Sequence, residues 1–144
     1  MKESPAGPRP LEALLRELTF DFFGSGEHRM TSEELFSTRG AVLLDVRSEE
    51  EVGFLSLGLG PGLRVVHIPT HEIPDRVNEI PVDQPVAVFC TAGIRAAMVY
   101  VYLRTQGFDD VRVLSGRLHE LAGHALPGAI WKRRQSAGRA GKTP

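Results

Sequence analysis

The sequence is poor in cysteine, in long apolar runs and in net charge. Of 144 residues one is cysteine, and the formal net charge is −1. A single cysteine excludes an internal disulfide framework and any zinc or iron–sulfur site built on several thiolates. The longest wholly apolar stretch, residues 96–103, is far short of the roughly 20 residues that span a bilayer. Met1-Lys2-Glu3-Ser4-Pro5 has no apolar segment of the signal-peptide kind. These absences predict a soluble, cytoplasmic protein with no membrane partner. The length predicts one domain, large enough to bury a core without covalent staples.

The small net charge hides an asymmetry. Five of the 17 basic residues (Lys132, Arg133, Arg134, Arg139 and Lys142) fall in residues 131–144, which contain no acidic residue. The remaining chain therefore carries 12 basic against 18 acidic residues. A basic tail on an acidic body can reach nucleic acid or an anionic surface, but as a composition it reads first as a solvated, disordered end, with nucleic acid not expected as a partner. Pro5, Gly7, Pro8 and Pro10 make residues 1–10 a flexible leader. Leu11, Leu14, Leu15, Leu18 and Phe22 then form an apolar stripe at helical spacing, on one helix ending near Gly24. That stripe must pack on its own domain or on a partner. The expected division is residues 1–28 as leader and amphipathic helix, 29–130 as the domain, and 131–144 as the tail.

Within the domain the hydrophobic period changes. Thr31 or Ser32 can cap a short helix through Ser37, with Glu34 completing a capping box. Ala41-Val42-Leu43-Leu44 is a short continuous apolar run, as a buried parallel strand requires, and residues 63–68, Val86–Phe89 and Val111–Leu114 are read as repeating the pattern. Helical stretches at 70–79, 93–106 and 116–123 separate them. The middle one is apolar almost all round, predicting deep cover, and Gly107 is its natural stop. Strands alternating with helices define an α/β fold, a mostly parallel central sheet with helices on both faces.

In such folds ligands sit beyond the carboxyl ends of strands, and Cys90 stands there. It follows Pro85-Val86-Ala87-Val88-Phe89 and opens the loop Cys90-Thr91-Ala92-Gly93-Ile94-Arg95. Backbone N–H groups entering a helix make an anion-binding nest that the helix dipole reinforces, and this favours a nucleophilic thiolate. Small residues at 91–93 let the backbone curl round the sulfur, and Gly93 can take a conformation other residues resist. Arg95 offers a permanent cation suited to an oxyanion such as a thiosulfonate.

The segment Cys90-Thr91-Ala92-Gly93-Ile94-Arg95-Ala96-Ala97 resembles the active-site loop of the rhodanese (thiosulfate:cyanide sulfurtransferase) family. Leu43-Leu44-Asp45-Val46-Arg47 with Glu49-Glu50-Glu51 is similar to the family's first core strand and Asp-x-Arg signature. Val66-His67-Ile68-Pro69 with Glu72-Ile73 resembles its Ile-Pro segment, and Gly107-Phe108, Asp110-Val111 and Val113-Leu114-Ser115-Gly116 its closing strand and turn. The likeness spans about residues 29–124. It implies a rhodanese-like three-layer fold and a persulfide on Cys90, stabilised by the loop amides of Thr91, Ala92, Gly93, Ile94 and Arg95. Sulfur would pass from a small donor anion to an external acceptor (cyanide, a thiol or a thiol protein) without cofactor or metal. The six-residue loop also differs from the seven-residue loop of the related cell-cycle phosphatases, which favours sulfur over phosphate or arsenate chemistry. The other alternative is a non-catalytic binding or regulatory module, for which Cys90, Gly93 and Arg95 have no chemical need.

The chain departs from the family pattern in two places. Leu57-Gly58-Leu59-Gly60-Pro61-Gly62 replaces the usual Gly-His-Ile-Pro-Gly, and the usual double glycine after the last strand reads Gly116-Arg117. Asp45 and Arg47 are read as structural or substrate support, with an Arg47–Glu51 bridge at i,i+4 one way of holding them. Gly58-x-Gly60-x-Gly62 lacks dinucleotide spacing, and Gly141-Lys142-Thr143 lacks the glycine at 136 that a phosphate loop needs. His67 and His71 flank Pro69 and make no metal pair; His119 and His124 are expected to face solvent. The oligomeric state is not written in the sequence.

Overall fold

The computed structural model describes residues 7–140. Most of the leader (1–6) and the Gly141-Lys142-Thr143 segment lie outside the described residues. Helices α1 (Leu11–Glu17) and α2 (Phe20–Ser25) lead into strand β1 (Arg29–Met30) and α3 (Ser32–Ser37). Strand β2 (Val42–Asp45), α4 (Glu49–Phe54) and β3 (Arg64–His67) follow. Next come α5 (Ile73–Arg76), set between short 3-10 turns, then β4 (Val86–Phe89) and α6 (Ile94–Thr105). The chain closes with β5 (Val111–Leu114), α7 (Leu118–Gly123) and α8 (Pro127–Ala140). The five strands form one sheet in the order β1-β5-β4-β2-β3, every pair parallel.

The continuous apolar runs are explained by cover on both faces. Alternate residues Val42, Leu44, Val86 and Val88 point to one side and pack with Val99 and Leu103 of α6 and with Ile73 and Ile80. Leu43, Ala87 and Phe89 point to the other, against Leu35 of α3 and Leu121 of α7. Asp45 is in register with Phe89 on one neighbour and His67 on the other. The carboxyl ends of β2, β3 and β4 therefore finish level, and Asp45, His67 and Cys90 gather at one edge. Among the described residues no helix is long and apolar enough to cross a membrane.

Four features differ from the sequence expectation. The N-terminal stripe is not one helix: α1 stops at Leu18, and the Thr19 side chain caps α2 by accepting the Phe22 N–H. A threonine that can bond the backbone outside a helix favours such a break. The stripe is partly buried by its own domain. Leu14 is fully buried, α1 lies on α6, and the Arg9 N–H donates to the Thr105 carbonyl at 2.7 Å.

Second, α6 is not covered all round. Ala96, Val99, Tyr100 and Leu103 are buried, whereas Ile94 and Met98 are 66% and 64% exposed. Third, the basic segment is helical through Ala140 rather than a loose tail. Pro127 opens its helix as a residue with no N–H to lose. Arg133 donates to the His124 carbonyl at 2.6 Å and lies 4.6 Å over the Phe36 ring. Fourth, His124 does not face solvent. It stacks on Phe36 with centroids 4.3 Å apart, and its Nε2 lies 3.1 Å from Ser32 Oγ. His119 does face solvent, with a side chain 76% exposed.

Candidate active site

Strand β4 is buried along its length and delivers Cys90 to the carboxyl edge of the sheet. The backbone then turns through Thr91, Ala92 and Gly93 before α6 starts. Gly93 sits at φ 85° as the residue before the helix, in the left-handed region where a side chain is strained. That turn aims the first amides of α6 back at the sulfur. Cys90 Sγ accepts from the Gly93 N–H at 3.1 Å and from the Ala96 N–H at 3.3 Å. Amides of a first helical turn have no intrahelical acceptor, and they carry the positive end of the helix dipole. Both features match a sulfur that bears negative charge.

Cys90 itself is 5% exposed, while Thr91, Ala92, Gly93 and Ile94 form an exposed rim. Above the sulfur opens a pocket of about 570 Å³. The loop from Cys90 to Gly93 makes one wall; Leu114, Ser115, Gly116, Arg117 and Glu120 make the other.

Arg95 does not line this pocket. Its guanidinium donates to both carboxylate oxygens of Glu51, at 2.6 and 3.0 Å, and to Thr91 Oγ1 at 3.1 Å. Glu51 is in turn fixed by α4. It accepts the Ser48 N–H at 2.8 Å while Ser48 Oγ accepts the Glu51 N–H, a reciprocal cap. The Arg95 hydrogen bonds, helped by the Ser48 amide, hold the Glu51 carboxyl at about 2, well below its usual 4.5. A depressed carboxyl of this kind contributes fully above about pH 4.5, and its contribution fades only as pH falls toward 2. Glu51 is therefore ionised throughout the neutral range and compensates the Arg95 charge.

The Arg47–Glu51 bridge expected from i,i+4 spacing is not formed, because Arg47 turns inward instead. Arg47 Nη2 lies 2.8 Å from Asp45 Oδ2, its Nε bonds both carboxylate oxygens, and the pair is 2% and 0% exposed. The guanidinium sits 5.7 Å over the Phe89 ring. His67 Nε2–H donates to the Arg47 carbonyl at 2.8 Å, tying β3 to the turn into α4. Asp45 and Arg47 thus touch no pocket surface; they hold the segment that presents Glu51 to Arg95.

The sequence pairs Glu51 with Arg47 rather than Arg95 and gives His67 no site role. The Ser48-x-x-Glu51 spacing is a capping-box signal in plain view, but nothing local announces that the same carboxylate reaches Arg95, 44 residues away. In the sequence His67 falls in the Ile-Pro segment and beside His71 in a spacing that makes no metal pair, and neither reading gives it a tie to Arg47.

A change at Glu51 tests how far Arg95 is compensated. Glu51→Gln keeps an amide oxygen for the Ser48 cap and removes the charge. The alkylation rate of Cys90 by anionic iodoacetate, divided by that for neutral iodoacetamide, should rise about 2- to 5-fold in the variant. An unchanged ratio would mean that the Arg95 charge is not felt at the sulfur.

A lone cysteine nested on helix amides at the edge of a parallel sheet defines a class of thiol-centred α/β domains. The rhodanese-like domain family matches residues 31–124, and this chain belongs to it. A sulfurtransferase of Allochromatium vinosum is 34% identical over 96 residues, covering 67% of this chain and 85% of that one. The tRNA sulfurtransferase of Histophilus somni is 31% identical over 74 residues, which is 51% of this chain but only 15% of that protein. A rhodanese-related protein of Thermoplasma volcanium shares the fold, with a TM-score of 0.57 at 22% identity over 69% of this chain and 95% of its own. The Allochromatium relative, matched over 85% of its length, supports a sulfurtransferase role.

Proposed function

We propose that the chain carries sulfane sulfur on Cys90, taking it from a small anionic donor of the thiosulfate kind and passing it to an external thiophile. The observation that supports this most directly is the pair of amides on Sγ, from Gly93 at 3.1 Å and Ala96 at 3.3 Å. They lie beneath a pocket open enough to admit a donor.

In the first half-reaction the Cys90 thiolate attacks the outer sulfur of thiosulfate. A Cys90 Sγ–S bond forms, the donor S–S bond breaks, and sulfite leaves with the electron pair. The product is the anionic persulfide Cys90-S-S⁻, and the amides of Thr91, Ala92, Gly93, Ile94 and Arg95 surround its terminal sulfur. In the second half-reaction cyanide or a thiolate attacks that terminal sulfur. The S–S bond breaks toward the protein, thiocyanate or a new persulfide departs, and the Cys90 thiolate is regenerated. This is a ping-pong cycle through a covalent intermediate. The chain has no second cysteine, so the persulfide cannot collapse to an internal disulfide and the acceptor must come from outside. A reducing, cytoplasmic setting keeps such a lone thiol free.

Intact-mass spectrometry after incubation with thiosulfate provides the test. The expected result is a gain of one sulfur atom, reversed by cyanide. Absence of that gain with thiosulfate, mercaptopyruvate and polysulfide alike would leave a non-catalytic docking module as the better reading.

A further inference from the structure

Arg95 is the only arginine in the active-site loop, and its charge is met by Glu51. An anionic donor entering the pocket therefore needs another cation. We propose that Arg117, on the pocket wall outside the loop, is the residue that recruits the anionic donor to Cys90. The proposal deepens the sulfur-transfer reading and rests on it for the identity of the donor.

Three observations place Arg117 in this role. It lines the same pocket as Cys90, on a chain segment separate from the loop, so a donor bound over the sulfur shares its pocket. Its side chain is exposed. Its guanidinium makes no hydrogen bond, ion pair or ring contact among the described residues, whereas Arg47, Arg76, Arg95, Arg104, Arg112 and Arg133 are all engaged. Arg117 is thus a cation with five free donors at the mouth of an anion-accepting site, the group best matched to an oxyanion. It is also a departure in sequence, since it stands where the family pattern has the second glycine of a pair. A glycine there would leave the wall without a cation.

The same wall carries Glu120, whose only ion pair among the described residues is a 4.0 Å contact with His119. Its carboxylate opposes a dianion, and it makes Arg117 the more necessary. With Arg117 removed, the pocket would present Glu120 without a compensating cation.

The test compares wild type with Arg117→Gln and Arg117→Lys at low ionic strength. Arg117→Gln should slow single-turnover sulfur loading from thiosulfate about 5- to 10-fold, with the loss weakening as salt is added. Discharge of the loaded persulfide by a neutral thiol should stay within 2-fold, and Arg117→Lys should recover most of the loading rate. An independent readout needs no sulfur donor. The iodoacetate-to-iodoacetamide alkylation ratio at Cys90 should fall about 3-fold in Arg117→Gln. Loading and alkylation ratio both within 2-fold of wild type would overturn the assignment. If wild type takes no sulfur from thiosulfate, mercaptopyruvate or polysulfide yet the ratio still falls, anion recruitment by Arg117 stands and the sulfur-transfer reading is lost.

Discussion

Cys90→Ser should reduce sulfur transfer to background while leaving the fold intact. Loss of a covalent nucleophile can cost up to about 10⁶ in turnover, and no other cysteine in the chain can take over. The serine hydroxyl cannot form a persulfide, so the first half-reaction has no substitute route. Nor should the substitution disturb the loop. Serine is slightly smaller, its oxygen can accept from the Gly93 and Ala96 amides that now meet sulfur, and the turn is set by Gly93 rather than by the thiol. Steady-state thiocyanate formation should fall at least about 10³-fold, and the change in unfolding free energy should stay within about 1 kcal/mol. Turnover within tenfold of wild type would remove Cys90 from the chemistry. Unfolding of the variant would not, because Cys90→Ala, which keeps the small side chain without a polar atom, supplies the same comparison.

The positions of the strands were legible because a parallel sheet covered on both faces favours apolar runs: β2 and β4 carry unbroken ones, and β3 and β5 keep the pattern around Arg64, His67 and Arg112. β1 has only two residues, too few to show any period, and it becomes a strand only by pairing with Val113 and Leu114 of β5. Cys90 and its loop were legible for a local reason. The turn glycine, the small residues and the following helix are contiguous, so the sulfur nest is encoded within seven residues. The second wall of the pocket was not, since Leu114 to Arg117 and Glu120 meet the loop only through the pairing of β4 with β5. Arg95 illustrates the same limit. Its residue type fixes a charge, but whether that charge faces a ligand or a carboxylate depends on Glu51, which α4 delivers from 44 residues upstream. The course of α8 was obscured by composition: a run of Lys and Arg reads as solvated, yet the Arg133 guanidinium sits over the Phe36 ring while it donates to a backbone carbonyl.

The largest stability effect is expected at Asp45. Asp45→Ala leaves the Arg47 guanidinium, 2% exposed, as an uncompensated charge beneath the sheet edge, and breaking a buried pair from one side costs about 3–5 kcal/mol. For a domain of this size that corresponds to a fall in Tm of about 10–15 °C. The cost reflects an orphaned ion rather than the net worth of the pair, so removing both charges should be much milder. Asp45→Leu combined with Arg47→Met keeps apolar volume against Phe89 and should recover more than half of the loss. A single-variant loss below about 1 kcal/mol by denaturant unfolding would show that Arg47 finds solvent or another partner. The double variant should nevertheless stay catalytically impaired if the pair positions the site. Arg47 holds its backbone in the conformation that donates its N–H to Asp45 Oδ1 and accepts the His67 bond at its carbonyl, and Ser48 follows immediately to cap α4 and seat Glu51. Restored stability without restored thiosulfate turnover would separate those two roles, because a merely structural pair would return both together.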